Sequence, residues 1–140
     1  MIKNNLTEEK ALAGFGSGID CSMAVLGEIG PQLGLEKDVC LKVAGAFGGG
    51  MWRGDTCGCV TGALMALGLK YENKEELLAK KAQFEEKFSA AYGSCICREM
   101  LGYDIGKGEL QKIMDEGYFE KVCCKAAKTA CDILAEIMND

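Results

Sequence analysis

The residues most able to do chemistry in this chain are its nine cysteines, and no histidine accompanies them. That absence removes Ser-His-Asp and Cys-His catalysis, an imidazole general base, His-ligated zinc and a His-ligated haem. Sulfur chemistry is what remains: thiolate ligation of a metal or cluster, or thiol–disulfide exchange. Two Cys-x-Cys pairs stand out, Cys57-Gly58-Cys59 and Cys95-Ile96-Cys97, together with the doublet Cys123-Cys124. None has the C-x-x-C spacing of a thioredoxin site, a zinc ribbon or a ferredoxin run.

Helix geometry narrows how these sulfurs can be used. Residues i and i+2 of an α-helix point about 200° apart, so a helical Cys-x-Cys cannot aim both sulfurs at one site. The economical arrangement takes one sulfur each from Cys21, from Cys57 or Cys59, from Cys95 or Cys97, and from Cys123 or Cys124. Four thiolates from four helix starts or turns match the ligand number of iron–sulfur clusters and of structural zinc. Cys57 follows an Asp55-Thr56 cap, where free N–H groups and the helix dipole favour a thiolate, and Cys97 precedes the cation Arg98. Cys21 opens a helix just after Asp20. Cys40, beside Val39, Val43 and Phe47, and Cys131, among Ala127, Ala130 and Leu134, read as small core hydrophobes. Cys59, Cys95 and Cys124 stand between core filler and auxiliary ligand or resolving thiol.

The glycine segment Gly48-Gly49-Gly50-Met51-Trp52-Arg53-Gly54 precedes Cys57. It follows a helix rather than a strand and lacks both the P-loop Gly-Lys-Ser/Thr and the G-x-G-x-x-G fingerprint, which argues against a nucleotide site. Glycines bring backbone close and leave N–H groups unobstructed for cluster sulfurs. Gly49, Gly50 and Gly58 are the candidates for that contact, with Arg53 able to offer charge to an anionic cluster or partner. The competing reading is a turn that lets helices pack closely.

The elements that must position these residues are helical throughout. Thr7 caps a short first helix, Cys21 to Ile29 makes an apolar helix stopped by Gly30-Pro31, and Leu35, Val39, Val43 and Phe47 recur at a spacing of four. Cys57 to Leu69 is apolar almost all round and belongs at the centre, and Asn73 caps a charged helix running to about Tyr92. Glu109 to Glu116 and a longest helix from Tyr118 to Met138 complete the chain. With no alternating strand pattern, the expectation is an all-α, compact bundle of about five to seven helices forming a single domain over residues 1–140. A net charge of −5 gives no electrostatic footprint for nucleic acid or an anionic membrane. The polar N-terminus and the lack of a long apolar run point to a cytoplasmic protein, where such cysteines ligate metal or do redox work.

The residues also resemble a known family, the redox-active C_GCAxxG_C_C proteins named for their cysteine pattern. The resemblance is carried by Ala46 to Gly58, by Val60-Thr61-Gly62-Ala63-Leu64-Met65, and by Gly68-Leu69-Lys70-Tyr71. Asp20-Cys21-Ser22 is similar to the family's Asn-Cys-Ala segment, Cys97-Arg98-Glu99-Met100-Leu101-Gly102 to its Cys-Arg-Glu-Leu block, and Cys123 heads the final helix. It covers about residues 15 to 138 and implies that the family cysteines fall on Cys21, Cys57, Cys97 and Cys123. Cys59 stands where the family usually carries Ala and Cys124 where Pro is common, so these are extra thiols.

Together these readings give a small redox or electron-transfer protein holding an iron–sulfur cluster on Cys21, Cys57, Cys97 and Cys123, a non-enzymatic carrier rather than an enzyme. A metal-free thiol–disulfide protein, with Cys57 attacking and Cys59 or Cys97 resolving, is the alternative, and a structural zinc module the third. The expected partner is a redox protein. A homodimer with sites shared or apposed is also compatible, Met51 and Trp52 offering a contact.

Overall fold

Side-chain caps form where the sequence marks them. Thr7 Oγ1 accepts from the Lys10 N–H at 3.1 Å, and Asn73 Oδ1 accepts from the Glu76 N–H at 2.9 Å, each satisfying an amide that has no partner within the helix. In the computed structural model, which describes residues 1–140, these two helices are α1 (Glu8–Gly16) and α5 (Lys74–Tyr92). The others are α2 (Cys21–Ile29), α3 (Lys37–Val43), α4 (Gly58–Lys70), α6 (Cys97–Leu101), α7 (Leu110–Asp115) and α8 (Cys124–Asn139). No strand forms, only an isolated antiparallel bridge between Thr56 and Ile96. The protein is all-α and compact, with eight α-helices rather than five to seven.

Helix α2 ends at Ile29 where Gly30-Pro31 marks its stop, and a 3-10 turn over Gly30–Leu33 follows with Pro31 in its first positions. Other local expectations need correction. The Leu35/Val39/Val43/Phe47 stripe is not the buried face of α3: Val39 and Val43 are exposed, while Cys40 and Ala44 are fully buried. The reason is distance. Cys40 Sγ lies 2.5 Å from where a Cβ on Gly30 would be, so only small residues fit between α3 and the turn after α2. Neither Asp55 nor Thr56 caps α4; Cys57 itself is the extended residue before the first turn, with φ −51° and ψ 136°. The last helix is shorter than Tyr118 to Met138, since a wider π-type turn over Phe119–Cys123 precedes α8, and α5 is the longest at 19 residues.

Helix α4 occupies the centre, packing on α2, α5 and α8. Its contact with α2 is backbone to backbone. A Cβ on Gly62 would stand 2.7 Å from the Ser22 carbonyl oxygen, and one on Gly58 would stand 3.0 Å from both Cys21 Cβ and the Ser22 nitrogen. Ser22, fully buried at this crossing, donates its hydroxyl to the Ala44 carbonyl at 2.8 Å. A second device aligns the chain before α4 with that before α6. The Cys57 N–H donates to the Cys95 carbonyl and the Cys97 N–H to the Asp55 carbonyl, both at 2.7 Å. Arg98 clasps this short ladder from outside, its guanidinium donating to the Gly54 carbonyl at 3.1 Å and to Asp55 Oδ1 at 2.9 Å.

Two outcomes test these devices. Gly62→Ala is expected to cost about 1–3 kcal/mol in denaturant unfolding, because it forces α4 off α2. Gly68→Ala, in the same helix with open space around it, is expected to gain about 0.5–1 kcal/mol. Equal effects would refute the close crossing. Arg98→Ala is expected to keep the helical circular-dichroism signal. It should also speed hydrogen exchange at the Cys57 and Cys97 amides about five-fold, the loss of about 1 kcal/mol from a half-exposed charged clasp.

Candidate sulfur centre

Five cysteines converge on one cavity of about 290 Å³: Cys21 from the first turn of α2, Cys57 and Cys59 at the start of α4, Cys97 opening α6, and Cys123 from the π-type turn before α8. Four separate segments therefore supply the sulfurs, as the spacing suggested. The exclusion of one member of each Cys-x-Cys pair fails at the first pair. Cys57 is extended rather than helical, so the 200° rule does not govern it, and both Cys57 and Cys59 reach the cavity. At the second pair Cys95 points elsewhere, its thiol 3.2 Å from the Ser89 hydroxyl. Cys124 also turns away, donating to the Glu120 carbonyl at 3.0 Å. Cys40 and Cys131 are fully buried in the apolar core.

The centre lies at a seam between two hydrophobic clusters. Cys57 and Cys59 belong to the main cluster of 23 buried residues, and Cys21 packs against it. Cys97 belongs to a cluster of three, with Leu101 and Ile113, against which Cys123 packs. All nine cysteines are free thiols.

Within the centre the thiols influence one another electrostatically. The neighbouring Cys123 thiol first, then that of Cys59, and to a smaller extent the backbone amides of Cys21 and Gly49, hold the Cys21 thiol well below the usual cysteine range despite its burial. The same contact with Cys21 pushes Cys123 and Cys59 up, the latter also through Cys57, and burial adds to both. Cys97 is pushed up to about 12, by burial first and then by the charges of Cys57 and Cys21. Arg98 does not make it a low-pKa thiol as expected, because the guanidinium is committed to Gly54 and Asp55. The thiol most disposed to ionise in the free protein is thus Cys21.

Gly49 and Gly58 both line the cavity. Gly50 and Arg53 do not: Gly50 lies against the backbone of Asp55, and Arg53 Nε pairs with Asp55 Oδ2 on the surface. The glycine loop is nonetheless specialised. Gly49, Gly50, Met51 and Trp52 all carry φ between 56° and 66°, a single left-handed turn that is unfavourable for Met51 and Trp52 by about 1–2 kcal/mol each. The turn presents the Gly49 N–H to Cys21 and sets the Trp52 ring at the cavity. Asp20, unremarked as a site residue in the sequence, also lines the cavity; burial, and next the neighbouring Cys21, raise its carboxyl pKa. A Cβ on Gly48 would stand 2.4 Å from the Asp20 carboxyl carbon, so that approach requires glycine. Phe15, Met100, Leu101 and Phe119 complete much of the wall, and no motif marked them in advance.

No helix is long and apolar enough to cross a membrane. No curated protein and no solved structure matches the chain. A family model does: the one described as "Putative redox-active protein (C_GCAxxG_C_C)" matches residues 19–137. That span takes in every sulfur of the centre and both glycines of the α2–α4 crossing. The chain belongs to the C_GCAxxG_C_C family of redox-active proteins.

Proposed function

We propose that the protein is an electron-transfer protein whose centre is an iron–sulfur cluster held by Cys21, Cys57, Cys97 and Cys123. The observation that carries this reading is the convergence of thiols from four separate segments on one apolar cavity of about 290 Å³. The donor set fits the group, being all sulfur with no imidazole in the chain, which suits iron–sulfur clusters and zinc over harder metals. Structural zinc would take the same all-sulfur set, and it is the less needed of the two. The main hydrophobic cluster also gives the fold a core that needs no structural metal.

Such a cluster supplies one-electron oxidation and reduction. The chain's own residues bind it through four thiolates, direct the Gly49 N–H at the Cys21 sulfur, and exclude water with an apolar wall. Cys59 touches Cys21 and Cys57 and is a fifth sulfur within reach of the same core. Those contacts also favour a second reading, metal-free thiol–disulfide exchange. In it the Cys21 thiolate attacks a disulfide substrate and Cys59 resolves the mixed disulfide. Two thiols then lose two protons and two electrons, and the substrate leaves as two thiols.

Anaerobically purified or reconstituted protein is expected to be coloured, with iron and acid-labile sulfide in stoichiometric amount. Serine at position 21, 57, 97 or 123 should abolish or shift the visible spectrum, while serine at Cys40, Cys95 or Cys131 should leave it unchanged. Colourless, iron-free protein whose titratable thiols fall by two on mild oxidation would replace the cluster with the dithiol reading.

A further inference from the structure

The sulfurs line only part of the cavity. Of its eighteen lining residues fourteen are hydrophobic, and two of these reach solvent, Trp52, 46 % exposed, and Met114, 51 % exposed. The rest of the non-cysteine wall is largely aromatic, thioether and aliphatic, including Phe15 and Phe119, tilted against each other with centroids 5.9 Å apart, and Met100 and Leu110. Trp52 and Met114 line one apolar cavity rather than lying scattered singly over the surface. Trp52, moreover, is placed there by a left-handed backbone that costs energy to maintain.

Charge narrows the occupant. No lysine or arginine lines the cavity, and its one ionisable side chain other than cysteine is the carboxyl of Asp20. The nearest guanidinium in sequence, that of Arg53, is turned to Asp55. An anionic molecule would therefore lose its hydration without gaining a cation. A flat, uncharged ring would meet aromatic faces and edges from Phe15, Trp52 and Phe119 and the polarizable sulfurs of Met100 and Met114. A half-enclosed apolar pocket with a few polar groups at its floor is the usual form of a small-molecule site.

We propose that the outer part of this cavity, walled by Phe15, Trp52, Met100, Leu110, Met114 and Phe119, is a binding site for a small uncharged aromatic molecule, which it holds next to the sulfur centre. The site is defined by its wall and does not require that the thiols hold iron.

The test is calorimetric titration of the full-length protein with 2-naphthalenemethanol, a neutral probe inert to thiols, and with 2-naphthalenesulfonate, its anionic counterpart of the same ring size. The neutral probe is expected to bind at one site with sub-millimolar affinity, and the sulfonate at least ten-fold more weakly. Trp52→Gly removes the indole while suiting the left-handed backbone, and should weaken the neutral probe about ten-fold. Met114→Lys, at a half-exposed position that does not endanger folding, should narrow or reverse the preference for the neutral probe. Equal binding of both probes, indifference to both substitutions, or no binding up to the solubility limit would each overturn the proposal. Iron measured on the same samples separates the two readings. Iron-free protein that binds the probe sinks the cluster alone, and iron-bearing protein that does not bind it sinks this site alone.

Discussion

Where α4 crosses α2, no side chain separates the two backbones. Gly62 faces the Ser22 carbonyl and Gly58 faces the Cys21–Ser22 peptide, each too close for a methyl group. Interiors pack so tightly that one methylene at such a point is felt throughout its surroundings. Here the surroundings are the sulfurs: Cys21 begins α2 one residue from the crossing, and Cys57 and Cys59 flank Gly58. The thiols meet because the backbones meet. The buried Ser22 hydroxyl anchors the same point to the end of α3 through Ala44, so three segments are fixed relative to one another at one place.

Bringing five thiols together in an apolar setting creates an electrostatic constraint. Ionised sulfurs repel strongly when little water screens them, so adjacent thiols cannot all be deprotonated. In the free protein the Cys123 and Cys59 neighbours draw the Cys21 thiol below the usual range, while Cys59, Cys97 and Cys123 are pushed up. Adding positive charge inverts that order, since metal ligation deprotonates thiols outright. By itself the arrangement is thus a water-poor pocket whose thiols differ widely in their readiness to ionise.

The sequence carried the helices whose signals are local. The run from Cys21 to Ile29 and the Asn73 cap of α5 needed only a start, a stop and an apolar period. The buried face of α3 was hidden because hydropathy favours Val39 and Val43, whereas the close approach to Gly30 is made by Cys40 and the Ala44 carbonyl meets the buried Ser22. That four segments would each supply a sulfur was readable from the distribution of the cysteines, while the choice within each pair rested on the family resemblance. Cys59 stood between core filler and auxiliary thiol, because its access to the cavity beside Cys57 depends on one residue's backbone being extended rather than helical. Nothing in a Gly-Gly-Met-Trp string announces a left-handed turn through two residues that disfavour it. The apolar outer wall was equally silent, since Phe15, Met100 and Phe119 come from three distant parts of the chain and share no motif.

The seam between the two hydrophobic clusters has a mechanical meaning. Three buried residues, Cys97, Leu101 and Ile113, are too few to hold α6, α7 and the Phe119–Cys123 turn in place by themselves. That flank is tied to the body by the Thr56–Ile96 bridge, by the Arg98 clasp on Gly54 and Asp55, by the Phe15–Phe119 contact, by continuity into α8, and around the sulfur-lined cavity. Any bond or ligand that spans Cys57 and Cys97 therefore acts as a rivet between a large plate and a small one. By mass action, a group that binds across the two only when they are docked would lower how often the small plate lifts.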